Sequence, residues 1–400
     1  MNAGALPLLI AGPLVRRATL DRCVLWMVVS REPDGRFELT RKRDGAVLLN
    51  TDLADVAETV RIGERAWIVL IDASFAENQS DGEVIEYDWV VTDNGHTHRL
   101  AQLAPTLLYP NQSRPQIRLT QRLREVVHGS CRKPHYDGPD ALAQLDDRLA
   151  DAVAHPDSER PDLLLMTGDQ VYADDVAGPM LRAVHATSQL LGLWSERWEG
   201  ARINDSDELQ SSSYSYYHRE ALLPRTEQNK ALYKRFISGA RKPIFTSVSA
   251  KNHLVGLSEV LAMYCLVWSD RLWPLIDTTA PACMDGEFTP RYSQEARVID
   301  AFVDDLPRVQ RALAHIPSYM IFDDHDITDD WNLTRGWETA AYGHPFSRRI
   351  IGNALLGYAL CQAWGNDPDR ITPLIREHVE PTLAAKSEGH DQLQHNQMID

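Results

Sequence analysis

The chain has 400 residues, 44% of them hydrophobic, enough for a large core and for two domains or one large domain with an appendage. A formal net charge of −16 disfavours a broad nucleic-acid or anionic-membrane surface, so phosphate chemistry here needs a local positive charge such as a metal. No apolar run reaches the roughly 18 residues of a membrane-spanning helix, and the five cysteines are widely spaced, odd in number and without a CxxC pair, which argues against a disulfide framework.

The apolar stretch from Ala5 to Val15 has no basic region before it, and Arg16 and Arg17 come after it. That is the wrong order for a secretory signal, so the expectation is a cytoplasmic protein. Residues 1–118 read as a β-rich unit. The runs Val24–Val29, Ala66–Ile71 and Tyr87–Val91 are rich in β-branched and aromatic residues, with turn segments such as Glu32-Pro33-Asp34-Gly35 between runs. The pattern suits a small antiparallel sandwich with a structural or substrate-shaping role.

From about residue 119 the pattern changes to α/β. Glu125 to His128 is a strand candidate, followed by the loop Gly129-Ser130-Cys131-Arg132-Lys133-Pro134-His135. Leu142, Leu145, Leu149 and Val153 form one apolar stripe, which predicts a helix over 139–154 with Asp140 near its start. Asp162 to Thr167 reads as a buried strand that ends in Gly168-Asp169-Gln170-Val171-Tyr172-Ala173-Asp174-Asp175. Residues 178–312 read as a helical insertion, with one helix expected over Ser258–Trp273 and a basic pair at Arg241-Lys242 read as a solvated loop. A strand over Tyr319–Phe322 then delivers Asp323-Asp324-His325-Asp326 and, shortly after, Asp329-Asp330. A helix is expected over Ser347–Trp364, and the polar stretch 386–400 reads as a tail with little fixed structure.

The chemistry lies in the loops that follow the three strand candidates. Sites in α/β sheets form at the carboxyl ends of strands, where ligands far apart in sequence can meet. So many carboxylates together need a cation, a shared proton or open water. Taken singly, Cys131 reads as an inert thiol, Gly168-Asp169 as a turn and His325 as structural. Taken together, Cys131, Asp169, Tyr172 and the carboxylates of the last loop, Asp323 to Asp326, read as a metal-binding set. Carboxylates suit Ca²⁺, Mg²⁺ or Mn²⁺, whereas a thiolate and a phenolate point to an iron-type ion, with Asp169 bridging to a second metal. His325 is placed to donate a proton to a leaving oxygen or to contact a phosphoryl oxygen.

Gly129-Ser130-Cys131, Gly168-Asp169-Gln170-Val171-Tyr172-Ala173-Asp174 and Phe322-Asp323-Asp324-His325-Asp326 through Trp331 resemble the PhoD-like alkaline phosphatases of the metallophosphoesterase superfamily. Gly12 to Arg17, Lys242 to Thr246, Ala262 to Ser269 and Cys361 to Gly365 also look like that family. The resemblance implies an α/β metallophosphoesterase-like sandwich over 119–385, with the helical insertion, behind the small all-β sandwich. It implies a two-metal hydrolase of phosphomonoesters or phosphodiesters, acting on a small molecule or a lipid headgroup. Fe(III) and Ca(II) are the implied ions, with Mn(II) or Mg(II) as alternatives. It also implies an iron side at Cys131, Asp169 and Tyr172, a second-metal ligand at Asp324 and a catalytic His325. Asp323 and Asp326 would be neighbours, and Arg132 and His135 phosphate contacts.

There is one departure. The family returns after the Cys-Gln-Ala-Trp-Gly segment with a further Gly-Asp-Val-His motif, and His378, His390 and His395 do not reproduce it. The expectation is therefore a catalytic domain lacking its last part. The alternative is a non-catalytic remnant or cation-binding protein of the same fold. The oligomeric state is left open.

Overall fold

A computed structural model describes residues 6–93, 95–155, 158–224, 245, 250–387, 395 and 398. Arg241-Lys242, most of 242–246, and much of 386–400 lie outside the described residues.

The N-terminal part is built of β1 (Leu9–Ala18), β2 (Arg22–Val29), β3 (Arg36–Arg41), β4 (Val47–Asp52), β5 (Ala57–Gly63), β6 (Ala66–Ser74), β7 (Val84–Asp93), β8 (His96–Arg99) and β9 (Gln116–Arg118). They form two antiparallel sheets, β1-β2-β6-β5 and β4-β3-β7-β8, with β9 paired to β7. The run from Cys23 to Val29 shows no polar alternation because both faces of its sheet are buried. Leu25, Met27 and Val29 meet Phe37, Leu39, Ile85 and Tyr87 of the other sheet. Val24, Trp26 and Val28 point the other way, into the core of the α/β part. Successive side chains alternate faces along a strand, so one stretch serves two cores.

The α/β part carries three parallel strands, β10 (Val126–Gly129), β11 (Leu163–Thr167) and β12 (Ser318–Ile321), in the order β10-β11-β12. Helix α1 (Ala141–Ala154) connects the first two and buries Leu142, Leu145 and Leu149, and the Asp140 carboxylate accepts the Leu142 N–H as its N-cap. Between β11 and β12 run α2 (Gly178–Leu191), α3 (Leu257–Val267) and the 25-residue α4 (Thr289–Leu313). Every residue of α3 is buried, as expected of a helix apolar all round. It stops at Val267, short of the expected Trp273. The Ser269 hydroxyl donates to the Ile10 carbonyl and accepts the Arg271 N–H, an alternative to the helical ladder.

After β12, helix α5 (Pro345–Tyr358) continues through a π turn into Trp364–Asn366. The outer edge of β12 is covered by a side chain: Asn366 accepts the Met320 N–H and donates to the Met320 carbonyl. The β10 edge has no paired strand among the described residues, and Val126 there is exposed. Helix α6 runs over Glu380–Ser387, the described His395 is buried with its Nε2–H donating to Asn353, and most of the rest of the expected tail lies outside the described residues. No disulfide links the five cysteines. No described helix is long and apolar enough to cross a membrane.

One buried imidazole fastens the two parts together. His315, just before β12, donates from Nε2 to the Leu107 carbonyl at 2.9 Å and accepts the Gln116 N–H at Nδ1, at 3.2 Å. The second bond requires the neutral ring, since a protonated Nδ1 cannot accept. Burial, with Arg160 nearby, pushes its pKa down to about 3. The unfolded chain takes up this proton as pH falls below the ordinary histidine value, and the native state does not. Stability is therefore lost from about pH 6.5 down toward 3. Between pH 7 and pH 5 the wild type should lose about 2 kcal/mol more than His315→Gln, read from urea midpoints. A difference between the two proteins that does not change with pH would rule out the buried neutral ring.

Candidate metal centre

The site is assembled where the loops after β11 and β12 meet. Gly168 has φ +123°, and a Cβ there would lie 2.4 Å from the Cβ of Asp323, so a side chain at this position would push the loops apart. Asp169 follows with φ 53° and Cys131 sits at φ 56°, both in the left-handed region that non-glycine residues seldom adopt. Cys131 is held by its N–H to the Gly168 carbonyl, and Arg132 by its N–H to the Asp169 carbonyl. The loop after β10 is thus stitched to the loop after β11 through backbone groups.

Carboxylate oxygens of Asp169, Asp323 and Asp324 lie within 4.8 Å of one another. Asp169 Oδ2 accepts from the Tyr172 hydroxyl at 3.4 Å, and its Oδ1 is buried without a hydrogen-bond partner. Burial raises the Asp169 pKa, and the charges of Asp323 and Asp324 add to it, against the opposing pull of Cys131 and His325. Three clustered carboxylates, one of them with a buried oxygen that has no donor, make a donor set suited to a cation. Asp324 is oriented by two backbone donors, the N–H groups of His325 and Asp330, each onto a different oxygen. Cys131 and Tyr172 adjoin Asp169. The Ser130 hydroxyl pulls the Cys131 thiol down, but burial and the Asp169 charge outweigh it, and the thiol is raised. Burial, then the charges of Asp169 and Cys131, push the Tyr172 phenol upward. Both shifts favour the protonated form.

His325 lies beside the cluster. Its Nδ1–H donates to both oxygens of Asp174, at 3.1 and 2.9 Å, and its ring stacks on Tyr172 with centroids 4.9 Å apart. The bond to Asp174, opposed by burial, raises its pKa to about 9. Asp174 is fully buried and also accepts the Asp329 N–H. Asp326 faces away from the cluster as a brace. Its carboxylate accepts the N–H groups of Val171 and Asp323 and so ties the two loops together, while burial pushes its pKa up to about 7.

The two residues expected at a phosphate are committed elsewhere. Arg132 pairs with Asp140, donates to the Val267 carbonyl and lies over Phe302. His135 pairs with Asp175 at 3.4 Å, and Asp175 also binds Lys133. Two residues near the centre escaped the sequence reading. Asp174 orients His325, and Lys133 has its ammonium 5.6 Å from the centre of the Tyr172 ring. The signal for Asp174 was present in the doublet Asp174-Asp175 two residues after Tyr172, but its partner is 151 positions away.

No protein-family model and no curated protein matches the chain. A solved structure of PhoD is similar over 90% of this chain and 47% of its own, at 10% identity and a TM-score of 0.35. The type III pullulan hydrolase from Thermococcus kodakarensis is similar over 95% of this chain and 59% of its own, at 10% identity and a TM-score of 0.17. The chain thus spans less than two thirds of either protein. Likenesses this distant carry no weight for the chemistry.

A bond to Asp174 that raises the pKa of His325 contributes stability that is fully present below the unfolded value of 6.5. That contribution is lost as pH rises through about 9. In chelator-treated protein the His325 ring should titrate near 9 by NMR, and Asp174→Asn should move the midpoint toward 6.5. A midpoint unmoved by the substitution would remove Asp174 from its assigned place.

Proposed function

We propose that the chain is a metal-dependent phosphoesterase acting on phosphomonoesters or phosphodiesters, with the phosphoryl group held at the Asp169–Asp323–Asp324 cluster. The observation that carries this reading is the cluster of the Asp169, Asp323 and Asp324 carboxylates, one of which, Asp169, has a buried oxygen without a hydrogen-bond partner, with the imidazole of His325 held by Asp174 beside them. Asp169, Asp323 and Asp324 would hold the cation, with Cys131 and Tyr172 added where the ion is ferric, and Ca(II), Mn(II) or Mg(II) suited to the carboxylates alone. A bound ion supplies the positive charge that a phosphoryl group needs and an activated water.

The remaining work falls to the chain. Asp174 occupies Nδ1 of His325 and keeps the ring protonated, so the Nε2–H is the proton offered to the leaving oxygen. The backbone N–H groups on Asp324 fix its carboxylate before substrate arrives, which lowers the cost of ordering it. A small phosphoester or an exposed lipid headgroup fits a site at loop ends, and the α/β metallophosphoesterase architecture is the fold this reading implies.

A second reading is a cation-binding chain without turnover. Its support is that the cluster contains no imidazole among the described residues. His378 is exposed beside Glu377, His395 is buried against Asn353, and His390 lies outside the described residues.

Elemental analysis of the purified chain and assays of para-nitrophenyl phosphate and its diester at alkaline pH separate the two. Under the first reading Asp169→Asn loses both metal and turnover. His325→Ala keeps the metal and lowers kcat by about 10²–10⁴-fold. Metal bound without hydrolysis of either ester leaves the second reading standing; a chain that binds neither iron, manganese nor calcium sinks both.

A further inference from the structure

Beside the metal centre, on the side of Cys131, a largely apolar pocket of about 230 Å³ opens between the loop after β10, the start of α1 and α4. Met166, Leu142 and Phe302 form its walls, and Tyr136, 72% exposed, stands among the lining residues. Cys131 belongs to both the pocket and the candidate centre, and Gln170, the neighbour of Asp169, also lines the pocket.

The pocket is poorly made for a second phosphate. Its two cations are each paired with an acid, Arg132 with Asp140 and Lys133 with Asp175, and Arg132 also lies over Phe302. It is well made for carbon: an apolar cavity of roughly 150 Å³ can already take a benzene ring. Gln170 adds a polar requirement. It is 1% exposed, its Nε2 donates to the Gly168 carbonyl at 2.7 Å, and its Oε1 has no partner. A buried acceptor without a donor is unfavourable, and a ligand hydroxyl or amide N–H would satisfy it.

We propose that this pocket receives the organic group of the phosphoester. The substrate class is then the phosphoesters of a compact aromatic or aliphatic alcohol that carries one further hydrogen-bond donor, received by Gln170. The proposal rests on the phosphoesterase reading for the placement of the phosphoryl group.

The test uses non-hydrolysable phosphonates and calorimetry on the metal-loaded chain. Benzylphosphonate should bind at least tenfold more tightly than methylphosphonate, and at least one of the ortho-, meta- and para-hydroxybenzylphosphonates should bind several-fold more tightly again. Ala141→Trp places an indole in the pocket from an exposed lining position at the start of α1, and should bring the benzyl-to-methyl ratio close to one. Gln170→Leu should abolish the hydroxyl increment and keep the benzyl preference. Equal binding of benzyl- and methylphosphonate, or a preference that Ala141→Trp leaves intact, overturns the pocket assignment. Hydrolysis assays of the matching phosphates keep the two readings apart. Turnover without any benzyl preference overturns the pocket and leaves the phosphoesterase. Benzyl-selective binding without turnover supports the pocket and removes the phosphoesterase.

Discussion

The candidate centre depends on one close approach, that of the loop after β11 to the loop after β12. Three carboxylates that repel one another are brought together by contacts that do not involve their charges. Gly168 lets the Asp323 side chain lie where a Cβ would otherwise stand. Asp326, buried behind the cluster, takes one N–H from each loop. The parallel pairing of β11 with β12 sets the register, Thr167 opposite Ile321, so that both loops leave the sheet at the same level. The repulsion is thus held by packing and backbone hydrogen bonds, and its relief is left to a cation.

That approach is supported in turn by the N-terminal sheet, which is the floor of the α/β part as well as half of a sandwich. Arg16 on β1 is fully buried and reaches the Met320 sulfur, the Gln362 carbonyl and the Asn366 side chain. Burial lowers its pKa to about 10, so it keeps its charge at neutral pH. Asn366, held by Arg16, covers the β12 edge. Gly365 leaves room for the arginine stem, since a Cβ there would stand 2.5 Å from its Cγ. Gln362 reaches from the same helix to Tyr264 and Asp326, which joins this floor to the brace behind the cluster. An N-terminal module that reads as an appendage in sequence is therefore part of what positions β12.

The strands were legible because local signals decide them. The candidates expected over 125–128, 162–167 and 319–322 correspond to the strands Val126–Gly129, Leu163–Thr167 and Ser318–Ile321, each shifted by one residue at most. The α1 helix followed from a stripe at helical spacing and an aspartate cap. The helix expected to reach Trp273 stops at Val267, because Ser269 bonds to a carbonyl 259 positions away, a contact that no local pattern announces. The same limit applies to the site. Asp169, Asp323 and Asp324 stand out as acids at strand ends. The partner of His325, the commitment of Arg132 to Asp140 and the turning of Asp326 into a brace are settled by which loop faces which. Asp323 and Asp326, both expected as neighbours of Asp324, divide between cluster and brace, with a short 3₁₀ turn over Asp324–Asp326 between them.

On the phosphoesterase reading, the electrostatics of the centre put a cation ahead of an anionic substrate. Among the described residues, the basic groups close to the cluster are each matched by an acid: His325 by Asp174, Lys133 and His135 by Asp175, and Arg132 by Asp140. The three clustered carboxylates have no ion pair of this kind among the described residues, so the balance of these groups is negative within a chain whose net charge is −16. A phosphoryl group entering this field alone would be repelled. With a cation seated on the carboxylates the sign of the local field reverses, while the paired basic groups stay fixed in their orientations and need no rearrangement. On that reading the paired acids hold donors in place, and the clustered acids hold the ion.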